Sequence, residues 1–149
     1  MKFPKVNLLI IESNRFLVRI LLETLADEFN VIVASNGNEA MNLLEKGLST
    51  DFIVTDLKVP KVDGLELIQL VRKSSRYHSL PILALSGSED SNTRIRCLEN
   101  GADDCMTKPF NPLELQAKIR AMLRRVSIPF SRPVVGAAPY YAQAVPVRA

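Results

Sequence analysis

The sequence predicts an α/β protein, a doubly wound sheet of five parallel strands covered by five helices. Three observations carry this. Short apolar runs bounded by polar or turn residues alternate with segments of helical period, the pattern of a parallel sheet buried on both faces. The alternation repeats five times between residues 6 and 125. Polar residues capable of chemistry follow the apolar runs, where ligands collect in open α/β sheets.

The strand segments are residues 6–11, 31–34, 52–55, 81–85 and 105–107. The first helix is expected over about 14–28, with Leu17, Ile20, Leu21 and Leu25 at spacings of three and four and Asn14 or Ser13 as its cap. The second follows Asn36 and Gly37, covering about 39–46 with Gly47 as its stop. The third starts at Gly64, carries Leu65, Ile68 and Val71 on one face, and ends near Ser74. The fourth spans about 91–100 and closes at Gly101; the fifth follows Asn111 and Pro112, with Leu115, Ile119 and Leu123 directed inward. Right-handed crossovers join such units. Residues 126–149 break the pattern with Pro129, Pro133, Pro139 and Pro146 and read as an extended tail or linker.

Composition excludes several classes. At 149 residues, 47% hydrophobic and 23% charged, the chain is long enough for one cored domain and is neither disordered nor fibrous. No apolar run approaches the roughly 20 residues of a membrane span. No secretory leader follows the N-terminal Met1–Lys5, and a cytoplasmic location is expected. Cys97 and Cys105 are the only cysteines and are expected to be small buried hydrophobes in a reducing compartment. The net charge of +3 includes four arginines from Arg124 onward with no acid among them, which leaves the preceding 123 residues at −1. Direct nucleic-acid binding is therefore not expected, and His78, in a polar loop, is expected to face water.

The residues leaving the strands are Glu12, Ser13 and Asn14 after the first, Asp56 after the third, Ser86 after the fourth and Lys108 after the fifth. Two acids, a hydroxyl and an ammonium on one rim suit phosphoryl transfer to a carboxylate. Asp56 would be the nucleophile, Glu12 and Asp56 would hold a divalent cation, and Ser86 and Lys108 would bind phosphoryl oxygens. Such a transfer needs positioning and charge neutralisation rather than a base.

These residues stand in a frame that resembles the receiver domain of two-component response regulators. The matching segments are Leu8 to Ile11 before an acidic position, Asp56 to Gly64 with Pro60 and Asp63, Leu85-Ser86-Gly87, and Gly101 to Asp104 leading to Thr107-Lys108-Pro109-Phe110. The resemblance spans residues 5–125, with the receiver domain placed at 1–125. It implies a flavodoxin-like three-layer sandwich with strand order 2-1-3-4-5. It also implies Asp56 as acceptor of a phosphoryl group from a histidine kinase or phosphotransfer protein, Ser86 as the switch hydroxyl and Lys108 as the phosphate-pairing cation. The Lys108-Pro109 bond is usually cis in the family. A downstream protein target is implied, and a homodimer is among the assemblies open to such domains.

Three positions depart from the family pattern. Ser13 stands where the family normally has the second of two acidic residues, the one that usually contacts Mg²⁺ directly. Removing one charge at about 4 Å, with an effective dielectric near 20, loses about 4 kcal/mol of attraction before the smaller desolvation cost is counted. A net loss of roughly 1–3 kcal/mol implies weak Mg²⁺ binding, with Glu12, Asp56, Ser13 and the backbone carbonyl of Lys58 as the expected surroundings of the ion. The Lys58 side chain either pairs with Asp56 or points to water; the sequence leaves both open. Cys105 stands where the family commonly has Tyr or Phe, so the usual aromatic movement is absent.

Two functions compete: a phosphorylatable receiver that signals through the face formed by the fourth helix, fifth strand and fifth helix, and a degenerate receiver that binds partners independently of phosphate. An aspartyl phosphohydrolase is disfavoured because Lys58 occupies the place of its second Asp. A dinucleotide-binding enzyme is disfavoured because Glu12-Ser13-Asn14-Arg15 lacks the glycine-rich turn. The chain is thus read as a signalling domain rather than an enzyme.

Overall fold

The computed structural model describes residues 5–58, 62–88 and 90–126. The tail expected over 126–149 falls, beyond Val126, outside the described residues. Five strands and five helices alternate: β1 (Asn7–Ile11), α1 (Arg15–Leu25), β2 (Asn30–Ala34), α2 (Gly37–Glu45), β3 (Phe52–Asp56), α3 (Gly64–Lys73), β4 (Ile82–Ser86), α4 (Ser91–Glu99), β5 (Asp104–Thr107) and α5 (Pro112–Arg124). All neighbouring strands are parallel, in the order β2-β1-β3-β4-β5. β3 and β4 are buried at every position, as strands covered on both faces must be, whereas edge strand β2 is largely open.

Alternate side chains of each strand point to opposite faces, so the sheet separates two cores. Leu9, Ile11, Ile53, Ile82 and Ala84 pack beneath α2, α3 and α4, contributing with Leu44, Leu67, Ile68, Val71 and Cys97 to one layer. On the other side Leu8, Ile10, Phe52, Val54, Leu83 and Leu85 meet Leu21 and Leu25 of α1 and Leu115, Ile119 and Met122 of α5. The expected inward residue Leu123 is only partly covered, and Met122 is buried in its place. At 100° per residue Met122 lies about 20° from the direction of Leu115, whereas Leu123 lies about 80° away. Cys97 is buried as expected, but Cys105 is only half-buried, because β5 is an edge strand with no neighbour beyond it.

Helix starts are fixed locally. Asn14, rather than Ser13, caps α1, its Oδ1 accepting from the amides of Phe16 and Leu17 at 3.0 and 3.1 Å. Asn36, Asp63, Asp90 and Asn111 cap the other four helices in the same way. Each such cap contributes about 1 kcal/mol. α1 stops at Leu25, three residues short of the expected end, because the chain turns there to feed β2: the amides of Glu28 and Phe29 both donate to the Leu25 carbonyl. Gly101, at φ +119°, closes α4 in the left-handed region that only glycine enters freely.

Candidate functional site

With strand order 2-1-3, the crossovers leave β1 in opposite directions and open a crevice at the carboxyl ends of β1 and β3. Glu12 is the residue after β1, and Asp56 is the last residue of β3; the paired neighbours Ile11 and Thr55 bring the two acids together. Glu12 is 1% exposed and Asp56 7%. Carboxylates so deep require partners, and both find the same one. The Lys108 Nζ donates to Glu12 Oε1 at 2.9 Å and to Asp56 Oδ2 at 3.0 Å. Lys108 is itself held at the end of β4, its amide donating to the Ser86 carbonyl at 2.7 Å, and its bond to Pro109 is cis.

Main-chain groups complete the acid pair. Glu12 Oε2 accepts from the Asn14 amide at 3.1 Å, and Asp56 Oδ1 accepts from the Lys58 amide at 3.3 Å. Sequence reasoning missed both donors, since every residue carries an amide and nothing in residue type marks these. It also missed the steric role of Gly64. A Cβ there would stand 2.5 Å from the Asp56 carbonyl oxygen and 2.6 Å from the Leu57 Cα, so the start of α3 can lie against the acceptor strand only without a side chain. The Gly64 amide donates to the Leu57 carbonyl at 3.0 Å, fixing that approach.

The site balances two carboxylates against one ammonium. Burial pushes the Lys108 ammonium down, but its hydrogen bonds to Glu12 and Asp56, together with their charges, outweigh burial and hold it above its ordinary value. Ser86 is 3% exposed, and its hydroxyl forms a local turn, accepting from the Ser88 amide at 3.0 Å and donating to the Ser88 carbonyl at 3.2 Å. A Cβ on the neighbouring Gly87 would meet nothing within 4 Å, which leaves the approach to Ser86 open.

Of the residues singled out in the sequence, Glu12, Asp56 and Lys108 are in direct contact, and Ser86 joins them through the Lys108 amide. The Ser13 and Lys58 side chains are exposed and make no hydrogen bond or ion pair among the described residues; Lys58 contributes its amide instead. His78 is exposed. No cluster of three or more His, Cys, Asp or Glu side chains fit for a metal occurs among the described residues. An oxygen-seeking dication would find two carboxylates here, both already shared with an ammonium. That donor set fits a hard cation of low affinity.

The architecture has counterparts among known proteins. The family model of the response regulator receiver domain matches residues 8–120. The chain belongs to that family. It is 40% identical over 120 residues to the transcriptional regulatory protein CpxR of Escherichia coli K12, a match covering 80% of this chain and 50% of that protein. It is 37% identical over 123 residues to the alkaline phosphatase synthesis transcriptional regulatory protein PhoP of Bacillus subtilis, covering 82% and 50%. The receiver thus spans about half the length of these curated relatives. Among solved structures, a putative response regulator from Chloroflexus aurantiacus aligns with TM-score 0.75 at 32% identity, covering 80% of this chain and 98% of that one. The chemotaxis response regulator CheY4 of Vibrio cholerae aligns with TM-score 0.73 at 26% identity, covering 78% and 98%. Receiver domains are signalling domains, and they generally bind Mg²⁺ at the acidic pocket. No helix among the described residues is long and apolar enough to cross a membrane.

Proposed function

We propose that Asp56 accepts a phosphoryl group from the phosphohistidine of a sensor kinase or phosphotransfer protein, and that the acyl phosphate biases the α4-β5-α5 face toward a form read by a downstream protein. The observation that carries this is the Lys108 ammonium held between Glu12 and Asp56 at the ends of adjacent strands. In the transfer the donor P–N bond breaks, its electron pair staying on the imidazole nitrogen, while an Asp56 oxygen forms the new P–O bond. Asp56 Oδ1 has only the long contact to the Lys58 amide and is the oxygen less engaged by Lys108. Lys108 can follow the added negative charge, since its ammonium is the mobile end of a flexible side chain. Ser86, at the open approach beside Gly87, supplies a hydroxyl to a phosphoryl oxygen by leaving its bond to the Ser88 carbonyl. Such exchange shifts a pre-existing equilibrium rather than building a new fold.

Glu12 and Asp56 would hold Mg²⁺, with the Lys58 carbonyl and Ser13 at its edge; the ion supplies neutralisation of phosphoryl charge. One carboxylate fewer at Ser13 makes that binding tenfold to a hundredfold weaker than an Asp there would give. A second reading is favoured by the same substitution together with Lys58 and the small Cys105: a receiver that has kept the fold and binds its partner without phosphate.

Intact-mass measurement after exposure to a small acyl phosphate donor, with and without Mg²⁺, separates the two. A Mg²⁺-dependent phosphoryl adduct absent from Asp56→Asn supports transfer, and Ser13→Asp is expected to lower the Mg²⁺ concentration needed. No adduct at any Mg²⁺ concentration selects the phosphate-independent reading. An unchanged Mg²⁺ requirement in Ser13→Asp removes Ser13 from the ion's surroundings.

A further inference from the structure

The sheet has two edges, and only one is closed. At β5 the outward amide of Cys105 is taken by the Asp104 carboxylate at 2.7 Å, and Asp104 is paired with Lys118 at 3.0 Å, so that charge and a local hydrogen bond guard the strand. β2 has no such guard. It runs for five residues in unbroken register with β1 and contains no charged residue, proline or bulge.

The ladder fixes which backbone groups of β2 are free. The Asn30 amide donates to the Val6 carbonyl and the Ala34 carbonyl accepts from the Glu12 amide, so Asn30, Ile32 and Ala34 face β1, and Val31 and Val33 turn their N–H and C=O groups outward. The outward amides on either side are already used. That of Phe29 donates to the Leu25 carbonyl at 2.9 Å, and that of Ser35 to Glu39 Oε1 at 2.6 Å. Among the described residues nothing bonds the outward groups of Val31 and Val33, and this open run is centred on Ile32, whose side chain is 40% exposed.

We propose that the β2 edge is an interface with a second copy of this chain, the two β2 strands pairing antiparallel across a two-fold axis at Ile32 so that one sheet runs through both molecules.

The free groups are self-complementary in that register. Val31 of each copy faces Val33 of the other, and each such pair exchanges N–H···O=C bonds in both directions. Ile32 meets Ile32 on the axis as the close, non-bonded pair. A two-fold axis perpendicular to the sheet also sets like faces together, so the flanking helices meet their own counterparts. α5 bonds α1 at Thr24; Val18 and Leu22, both half-buried, lie about 120° and 160° around the helix from it, on the flank beside the open edge. On the other face half-buried Leu43 lies about 160° from Met41, which faces α3. Charge does not oppose the pairing. Continuing the register past the strand ends sets Glu28 opposite Asn36 and Asp27 opposite Gly37, so no like charges meet, and the first 123 residues sum to only −1. The interface uses neither Asp56 and Lys108 nor the α4-β5-α5 face, and the proposal stands apart from phosphoryl transfer.

An interface of one short strand and its flanks belongs to the weak class, with a dissociation constant on the order of 0.1 mM. Sedimentation equilibrium of the whole chain across that concentration is expected to show monomer and dimer in exchange. The Val31 and Val33 amides are expected to exchange with deuterium more slowly as concentration rises, with Phe29 and Ser35 unchanged. Ile32→Lys and Ile32→Glu each set like charges against one another on the axis, and each is expected to associate at least about tenfold more weakly. Mixed together they are expected to pair again, because position 32 meets itself. Should either variant fail to fold, the concentration dependence of the two valine amides in the native chain decides alone. Ile95→Lys, at a 49% exposed site on α4, is expected to leave the dimer intact. A native chain that stays monomeric, valine amides indifferent to concentration, a Lys and Glu mixture of folded variants that remains monomeric, or a dimer lost in Ile95→Lys and kept in Ile32→Lys would overturn the proposal.

Discussion

Replacing Lys108 with Met removes the charge that Glu12 and Asp56 share and keeps most of the volume. At about 3 Å and an effective dielectric near 20, each ion pair carries roughly 5 kcal/mol of attraction, most of it offset by desolvation. Without the ammonium, two carboxylates that are 1% and 7% exposed face each other. Their oxygens, both bonded to one nitrogen at 2.9 and 3.0 Å, lie no more than about 6 Å apart, where repulsion is roughly 3 kcal/mol. The variant has an escape, which is to protonate one acid. From a reference pKa near 4.3 that costs about 4 kcal/mol at pH 7 and about 1 kcal/mol at pH 5. The Lys108 side chain is 25% exposed, so water softens the loss, and we expect destabilisation of about 2–4 kcal/mol at pH 7 falling to about 1 kcal/mol at pH 5. The sign follows from proton binding: the folded variant takes up a proton that the unfolded chain releases, so acidification favours folding of the variant relative to the native chain. Urea denaturation of both chains at the two pH values measures the difference. The same penalty at pH 5 and pH 7, or none at pH 7, would refute a Lys108-neutralised acid pair. Adding Asp56→Asn should remove much of the penalty, since only one carboxylate then lacks its cation.

Three further outcomes follow from the same structure. Because its partners hold the Lys108 ammonium above the ordinary 10.5, its contribution is complete below that pH and is lost as pH rises through the folded value; the native chain should lose more stability than Lys108→Met in alkaline denaturation. Gly64→Ala places a methyl 2.5 Å from the Asp56 carbonyl oxygen and should destabilise by about 1–3 kcal/mol in a urea titration while displacing the Asp56 backbone, visible as amide shifts at Leu57 and Lys58. Tyr77→Phe deletes a hydroxyl that donates to the carbonyls of Leu44 at 3.1 Å and Leu48 at 2.7 Å, with the ring 5% exposed, and should lower stability by about 1–2 kcal/mol without altering phosphoryl uptake at Asp56.

Much of this architecture was legible in the chain because its signals are local. Apolar runs marked all five strands to within one residue at either end, and Asn14, Asn36 and Asn111 marked where α1, α2 and α5 follow, whereas the capping by Asp63 and Asp90 was seen only in the structure. Where boundaries slipped, tertiary contacts decided. α1 ended early because its last carbonyls serve the turn into β2, and the inward stripe of α5 ran through Met122 because helical phase, not hydrophobicity alone, selects the buried face. The half-burial of Cys105 depended on β5 lying at the sheet edge, a fact of strand order rather than of composition.

The site divides in the same way. Sequence alone determined which chemistry-bearing residues leave the strands, since each strand end is fixed by its own few neighbours. It could not determine their partners. Lys108 reaches Asp56 across 52 residues and Glu12 across 96, separations over which only the folded sheet sets distance. The Lys58 side chain, left open between Asp56 and water, is exposed, because the ammonium from β5 already fills the space between the acids. Local sequence specifies which groups are present and where each element begins; the burial of a sheet between two helical layers decides which of them share a low-dielectric space and must satisfy one another.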